Sequence, residues 1–102
     1  MLAIKGQLFD WDPVKSRINL QKHGVSFKEA ATVFQDENAY YFDDETHSQR
    51  ENRFIVIGLS KVERLLFVCY CCRESKTVTR IISARKATET ESKIYGGADY
   101  NV

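Results

Sequence analysis

Between residues 39 and 85 the chain repeats one kind of segment four times. "AYYFD" (39–43), "RFIVIGLS" (53–60), "RLLFVCYCC" (64–72) and "TVTRIISAR" (77–85) are rich in β-branched and aromatic residues. Such residues suit a pleated, half-buried surface. The links "KVE" and "RESK" are short. Links of that length cannot hold a crossover, so they make neighbouring strands antiparallel. A meander of this kind must bury one face.

The N-terminal third supplies the cover, and its period is different. "QLFDW" reads as a short strand, and "DP" then opens a helix. Asp12 is the N-cap and Pro13 takes the first helical position, where its missing N–H does no harm. Val14 and Ile18 share one face of this helix. Lys22 and His23 fall in its last turn, and Gly24 takes the left-handed position that ends it. "VSFKEA" starts a second helix at once, with Ser26 as N-cap and Glu29 three residues on to complete a capping box. Phe27, Ala30, Ala31 and Phe34 follow helical spacing, which predicts a buried face. Near the other end, Thr88 and Glu91 form a second box pattern, opening a short helix through Tyr95 that stops at Gly96-Gly97. The order is β-α-α-β-β-β-β-α. It predicts an α+β fold, an antiparallel meander sheet packed against two N-terminal helices, with a short C-terminal helix.

A length of 102 residues fits one domain, 1–102, able to bury a core without disulfides. The N-terminus has no apolar run long enough for a signal peptide or a membrane span. The net charge of +1 excludes little, but its distribution is uneven. Asp36, Glu37, Asp43, Asp44, Glu45 and Glu51 crowd one stretch with Arg50. Lys76, Arg80, Arg85 and Lys86 occupy another without an acid. The expectation is either an electrically polar domain or two solvated loops.

Cys69, Cys71 and Cys72 are the most conspicuous cluster. Alternation on a strand sends Cys69 and Cys71 one way and Cys72 the other, so one strand cannot wrap three thiolates around zinc. Reduced core thiols fit better, in a cytoplasmic setting. Asp43 and Asp44 lack a spaced third ligand, so no metal site is expected, and no cofactor motif is present. The arginines carry more. Arg53 starts one strand, Arg73 ends another, and Arg80 and Arg85 lie on the last, where an antiparallel meander can gather them. Guanidinium groups bind phosphate oxygens in a fork. Each arginine could equally pair with a surface carboxylate. Tyr40, Tyr41, Phe42, Tyr70 and Tyr95 include rings on which a base could stack, although strand aromatics are mostly core.

The assembled pattern, "WDxxKxxxNxxKHGVSFxEA" followed by "RENRFIVIG", "LLFVCY" and "RIISARxAT", resembles the BrnT family over about Phe9 to Tyr95. That resemblance implies a RelE-like fold and the toxin subunit of a bacterial type II toxin–antitoxin pair. It implies an endoribonuclease that arrests translation and is neutralised by a BrnA-type antitoxin, in a complex with two copies of each. Operator DNA would be reached only through the antitoxin, and no membrane is involved. RNA can be cut without a metal, because its 2′-OH can attack the adjacent phosphorus. Catalysis then needs charge stabilisation and two proton transfers. The candidate catalytic residues are Lys22, His23, Arg53, Arg73 and Arg80. Arg85, Lys86 and Tyr95 are candidate RNA or phosphate contacts. Lys22 and His23 are also accounted for by the helix ending alone, since cations favour a helix C-terminus. Two other classes of function fit the same residues: a non-catalytic RNA- or ribosome-binding module, and an antitoxin-binding protein in a repressor complex.

Overall fold

The computed structural model describes residues 1–45, 52–73, 75 and 77–95. Strands β1 (Leu2–Ile4) and β2 (Gln7–Asp10) form a hairpin, and α1 (Pro13–His23) and α2 (Phe27–Thr32) follow. After a 3-10 turn (Val33–Gln35) come β3 (Tyr40–Asp43), β4 (Arg53–Leu59), β5 (Leu65–Arg73) and β6 (Val78–Lys86), then α3 (Glu89–Ile94). Gly96-Gly97 lies outside the described residues.

One six-stranded sheet runs in the order β1-β2-β6-β5-β4-β3. The expected antiparallel meander is its larger part, β3 to β6. The sheet as a whole is mixed, because β2 pairs with β6 in parallel. This corrects the purely antiparallel expectation. The N-terminal strand lies far from β6 in sequence, so no short link signals their pairing. The first strand was also missed: "LAI" is only three residues, turned back on β2 at Lys5 and Gly6, both at positive φ.

The larger buried cluster lies on one side of the sheet, while Ile55, Ile57, Cys69, Cys71 and Val78 are buried on the other. Phe27, Ala30, Ala31 and Val33 cluster with Phe9, Val56, Leu66, Val68, Tyr70, Ile81 and Ala84. Gly58 lets β4 meet the 3-10 turn, since a Cβ there would lie 2.6 Å from Val33 Cγ1. Helix α1 adds no residue to this cluster. Val14 and Ile18 do share a face, but it points outward at 52% and 54% exposure, while Asn19 is buried.

Asn19 explains how such a helix is held. Its amide nitrogen donates to the carbonyls of Val25, at 3.0 Å, and Ala84, at 2.7 Å. Its side-chain oxygen accepts from the Ala84 N–H at 3.1 Å. Strand β2 pairs with β6 only as far as Asp10 opposite Arg80. Beyond that point the outer edge of β6 has no strand beside it, and the Asn19 carboxamide satisfies the groups that a strand would have met.

The caps form as the sequence implies, with one difference. Asp12 accepts from the Val14 N–H, and Gly24 is left-handed at φ 69°. Thr88 and Glu91 make a full capping box. Ser26 accepts from the Glu29 N–H at 3.0 Å, but the Glu29 carboxylate is turned to Arg64 and to the Ser60 hydroxyl. Arg64 also donates to the Gly24 carbonyl at 3.0 Å. The hinge between α1 and α2 is thereby tied to the β4–β5 turn.

Two outcomes test this frame. Asn19→Leu leaves the two polar groups of Ala84 and the Val25 carbonyl without their partner. It should destabilise by about 2–4 kcal/mol in urea unfolding with little change in the denaturant slope. The Arg64 hydrogen bond holds the Glu29 carboxyl below its ordinary value of 4.5, against the opposing effect of burial. Its contribution to stability is therefore present above 4.5 and disappears as pH falls through the lowered folded value. Glu29→Gln should be less stable than the parent at neutral pH, and the difference should shrink in acid.

Candidate functional site

Residues paired across neighbouring strands project to the same side of a sheet. Arg53 pairs with Cys71, Cys71 with Arg80, and Arg80 with Asp10. This puts one row, Arg53–Cys71–Arg80–Asp10, across four strands. Arg73 lies two residues beyond Cys71 and so shares its side. The row faces away from the core cluster, because Phe54, Tyr70, Ile81 and Phe9 occupy the alternate positions. Arg53, Arg73 and Arg80 thus lie on one face at one end of the sheet. Arg73 is exposed, and Arg53 and Arg80 are half-buried.

The row carries acids as well as arginines. Arg80 Nη1 donates to Asp10 Oδ2 at 3.2 Å, with each side chain near three-tenths exposed. Asp10 Oδ1 is buried with no hydrogen-bond partner among the described residues. Asp10 was not picked out in the sequence, because only the parallel pairing of β2 with β6 brings it to Arg80. At the other side, Arg53 lines a cavity of about 180 Å³ with Asp43, Glu45, Asn52 and Phe54. Asp44 is buried, and its carboxylate is 3.7 Å from the Cys69 thiol. The acid-free stretch around Arg80 and Arg85 is therefore not a bare basic face: each arginine meets a carboxylate from another element.

The other candidate residues do not join this row. Arg85 is on the same face, but two short bonds of 2.7 and 2.8 Å fill its fork with Glu91. Its guanidinium also sits 4.1 Å above the Phe67 ring. The pair anchors α3, and the hydrogen bond from Arg85 holds the Glu91 carboxyl below its ordinary range. Tyr95 donates to Asp36 Oδ2 at 2.7 Å, and the same oxygen accepts from the Leu59 N–H. Lys86 pairs with the core residue Leu66, so it projects to the opposite side from Arg85. Lys22 and His23 end α1, next to Gly24 and the Arg64 tie. That tie is at the Leu59–Leu65 end of the β4–β5 pair, six residues of strand from Arg53 and Cys71. Six residues span about 20 Å. The lysine–histidine pair and the arginine row cannot hold the same phosphate. His47, the other histidine, lies outside the described residues.

The cysteines divide as alternation requires: Cys69 and Cys71 are buried on the arginine side and Cys72 is exposed. Burial pushes the Cys69 thiol up to about 11, with Asp44 adding to the shift. Among the described residues, no group of His, Cys, Asp and Glu is placed to hold a metal ion, and no helix is long and apolar enough to cross a membrane.

The sheet is mixed, with α2 packed on its core face and an arginine row at one end of the other. The comparisons give the chain a family. Residues 11–91 match the model described as "Ribonuclease toxin, BrnT, of type II toxin-antitoxin system". The chain belongs to this BrnT toxin family. Its fold is similar to that of the 1.1 Å crystal structure of the Brucella abortus ribonuclease toxin BrnT. The TM-score is 0.63 at 21% sequence identity, over 81% of this chain and 99% of that one. No curated protein matches the chain.

The thiols offer a direct check on this end of the sheet. A disulfide reagent at neutral pH should label Cys72 quickly in the folded protein. Cys69 and Cys71 should react only on unfolding, because they are buried and Cys69 is held in its thiol form. Fast labelling of two or more thiols in the native state would contradict the placement.

Proposed function

We propose that this chain is a metal-independent endoribonuclease with a RelE-like fold, acting in the cytoplasm to arrest translation. A BrnA-type antitoxin neutralises it in a complex with two copies of each, and operator DNA is reached through that antitoxin. Membership of a ribonuclease toxin family supports the activity. The observation that carries the site is the pairing register that sets Arg53, Arg73 and Arg80 on one face.

In this reading the RNA backbone crosses the arginine end of the sheet. The ribose 2′-oxygen attacks the adjacent phosphorus and the bond from phosphorus to the 5′-oxygen breaks. The products are a cyclic phosphate and a 5′-OH. One proton leaves the 2′-OH and another reaches the departing 5′-oxygen. The guanidinium groups of Arg73 and Arg80 oppose the charge that builds on the phosphorane oxygens. Asp10 aims Arg80 by holding one of its nitrogens. Nothing in this scheme requires Lys22 or His23, about 20 Å away along the sheet. Their place at a helix C-terminus accounts for them.

A second reading, a non-catalytic RNA- or antitoxin-binding module, draws support from the carboxylates that already meet Arg80 and Arg85. Incubating the purified chain with a defined RNA in the presence of a chelator, and mapping the ends, separates the two. Cyclic phosphate and 5′-OH ends support the enzyme. Intact RNA, with binding retained, supports the module. If the enzyme reading holds, Arg73→Ala and Arg80→Ala should each slow cleavage by about 10²–10³-fold. Arg73→Ala should change folding stability by only about 0.5 kcal/mol. His23→Gln should cut RNA at close to the parent rate, and a dead His23→Gln that folds normally would move the chemistry to the α1 end.

A further inference from the structure

Helix α1 is turned inside out relative to an ordinary surface helix. Its inward side is polar, with Ser16 and His23 half-buried and Asn19 buried. Its outward side carries Val14 and Ile18, one turn apart and more than half exposed. Leu20 is also 49% exposed. A surface helix normally buries its apolar stripe and shows polar residues to water. Here the carboxamide of Asn19 attaches the helix, and the stripe is left without a partner within the described residues.

The surroundings of the stripe define what would cover it. Lys15 and Arg17 flank Val14 and Ile18 on either side, Lys22 is at the far end, and all three are exposed. The helix contains no acid. A second copy of the same face would set these cations against each other, which opposes self-association. Nucleic acid would use the cations but gain little from two branched aliphatic side chains. An amphipathic helix with acidic flanks satisfies both features at once.

We propose that the outward face of α1 is the anchoring surface for an acidic, amphipathic helical segment of the antitoxin. This inference rests on the reading of the chain as one half of a toxin–antitoxin pair. The anchor uses none of the row arginines, so tethering and masking of the catalytic face are separate tasks.

The test uses the full chain and the antitoxin encoded beside it, separated after co-expression. Affinity is measured by titration for the parent, for Val14→Glu with Ile18→Glu, for Lys15→Glu with Arg17→Glu, and for Arg80→Ala. Both α1 double variants should weaken binding by at least about tenfold. They should keep parent-like unfolding midpoints and parent-like RNA cleavage when free. Binding unchanged in both α1 variants overturns the anchor. So does a loss of RNA binding or cleavage in the α1 variants, which would make the face an RNA surface. Loss of antitoxin binding in Arg80→Ala alone would put the anchor on the arginine row instead. If the parent chain binds no such protein, the pair assignment falls together with the anchor. If it binds but ignores the α1 changes, only the anchor falls.

Discussion

The hydrogen bonds of Asn19 are the constraint from which the rest of the arrangement follows. Strand β2 must leave the sheet after Asp10 to start α1, and its departure exposes the edge of β6 beyond Arg80, where Ala84 lies. A backbone N–H and C=O buried without partners would cost roughly 1–3 kcal/mol each. One carboxamide meets both, and it also holds the Val25 carbonyl where the chain turns into α2. A side chain with one acceptor and two donors on a single planar group is suited to this, and an aliphatic residue of similar size is not. Because Asn19 fixes α1 to β6, it also fixes where each end of the helix lies. The helix is capped at Asp12, two residues after Asp10, the partner of Arg80, and carries Lys22 and His23 to the far end of the sheet.

That geometry separates what was legible in the sequence from what was not. The caps at Asp12, Ser26 and Thr88, the left-handed Gly24 and the four meander strands depend on residues within a few positions of one another, and local chemistry is enough to specify them. The family was legible for a similar reason: "WDxxKxxxNxxKHGVSFxEA" and "RIISARxAT" are long runs, and residues 11–91 match its model. The parallel pairing of β2 with β6 joins residues about seventy positions apart. No turn or link announces it, so Asp10 could not be assigned to Arg80. The same limit let Lys22 and His23 be grouped with the strand arginines. They share a family motif and a plausible chemistry, but sequence carries no measure of the sheet's length.

The outward apolar face of α1 was not legible for a different reason. Val14 and Ile18 have the spacing of a buried stripe, and periodicity alone cannot tell which side of a helix faces the core. The deciding residue was Asn19, which follows Ile18 and lies on the inward side of the helix. A polar residue with three buried partners can override two aliphatic ones, because leaving those partners unmet costs more than leaving two side chains half exposed.

Arg80 and Arg85 look interchangeable in sequence, yet their partners set them apart. Arg85 is held by two short bonds to both oxygens of Glu91 and by the face of Phe67. An incoming phosphate would have to displace a bidentate pair that also anchors α3. Arg80 meets Asp10 through one nitrogen at 3.2 Å, a longer contact than either bond of Arg85. A bidentate pair orders both groups and is the stronger arrangement. A single, longer contact orients a guanidinium while leaving it able to turn towards another anion. The two arginines are five residues apart on one strand and one face. The stiffness of the carboxylate contact each has been given makes one a structural clamp and leaves the other held at a single point.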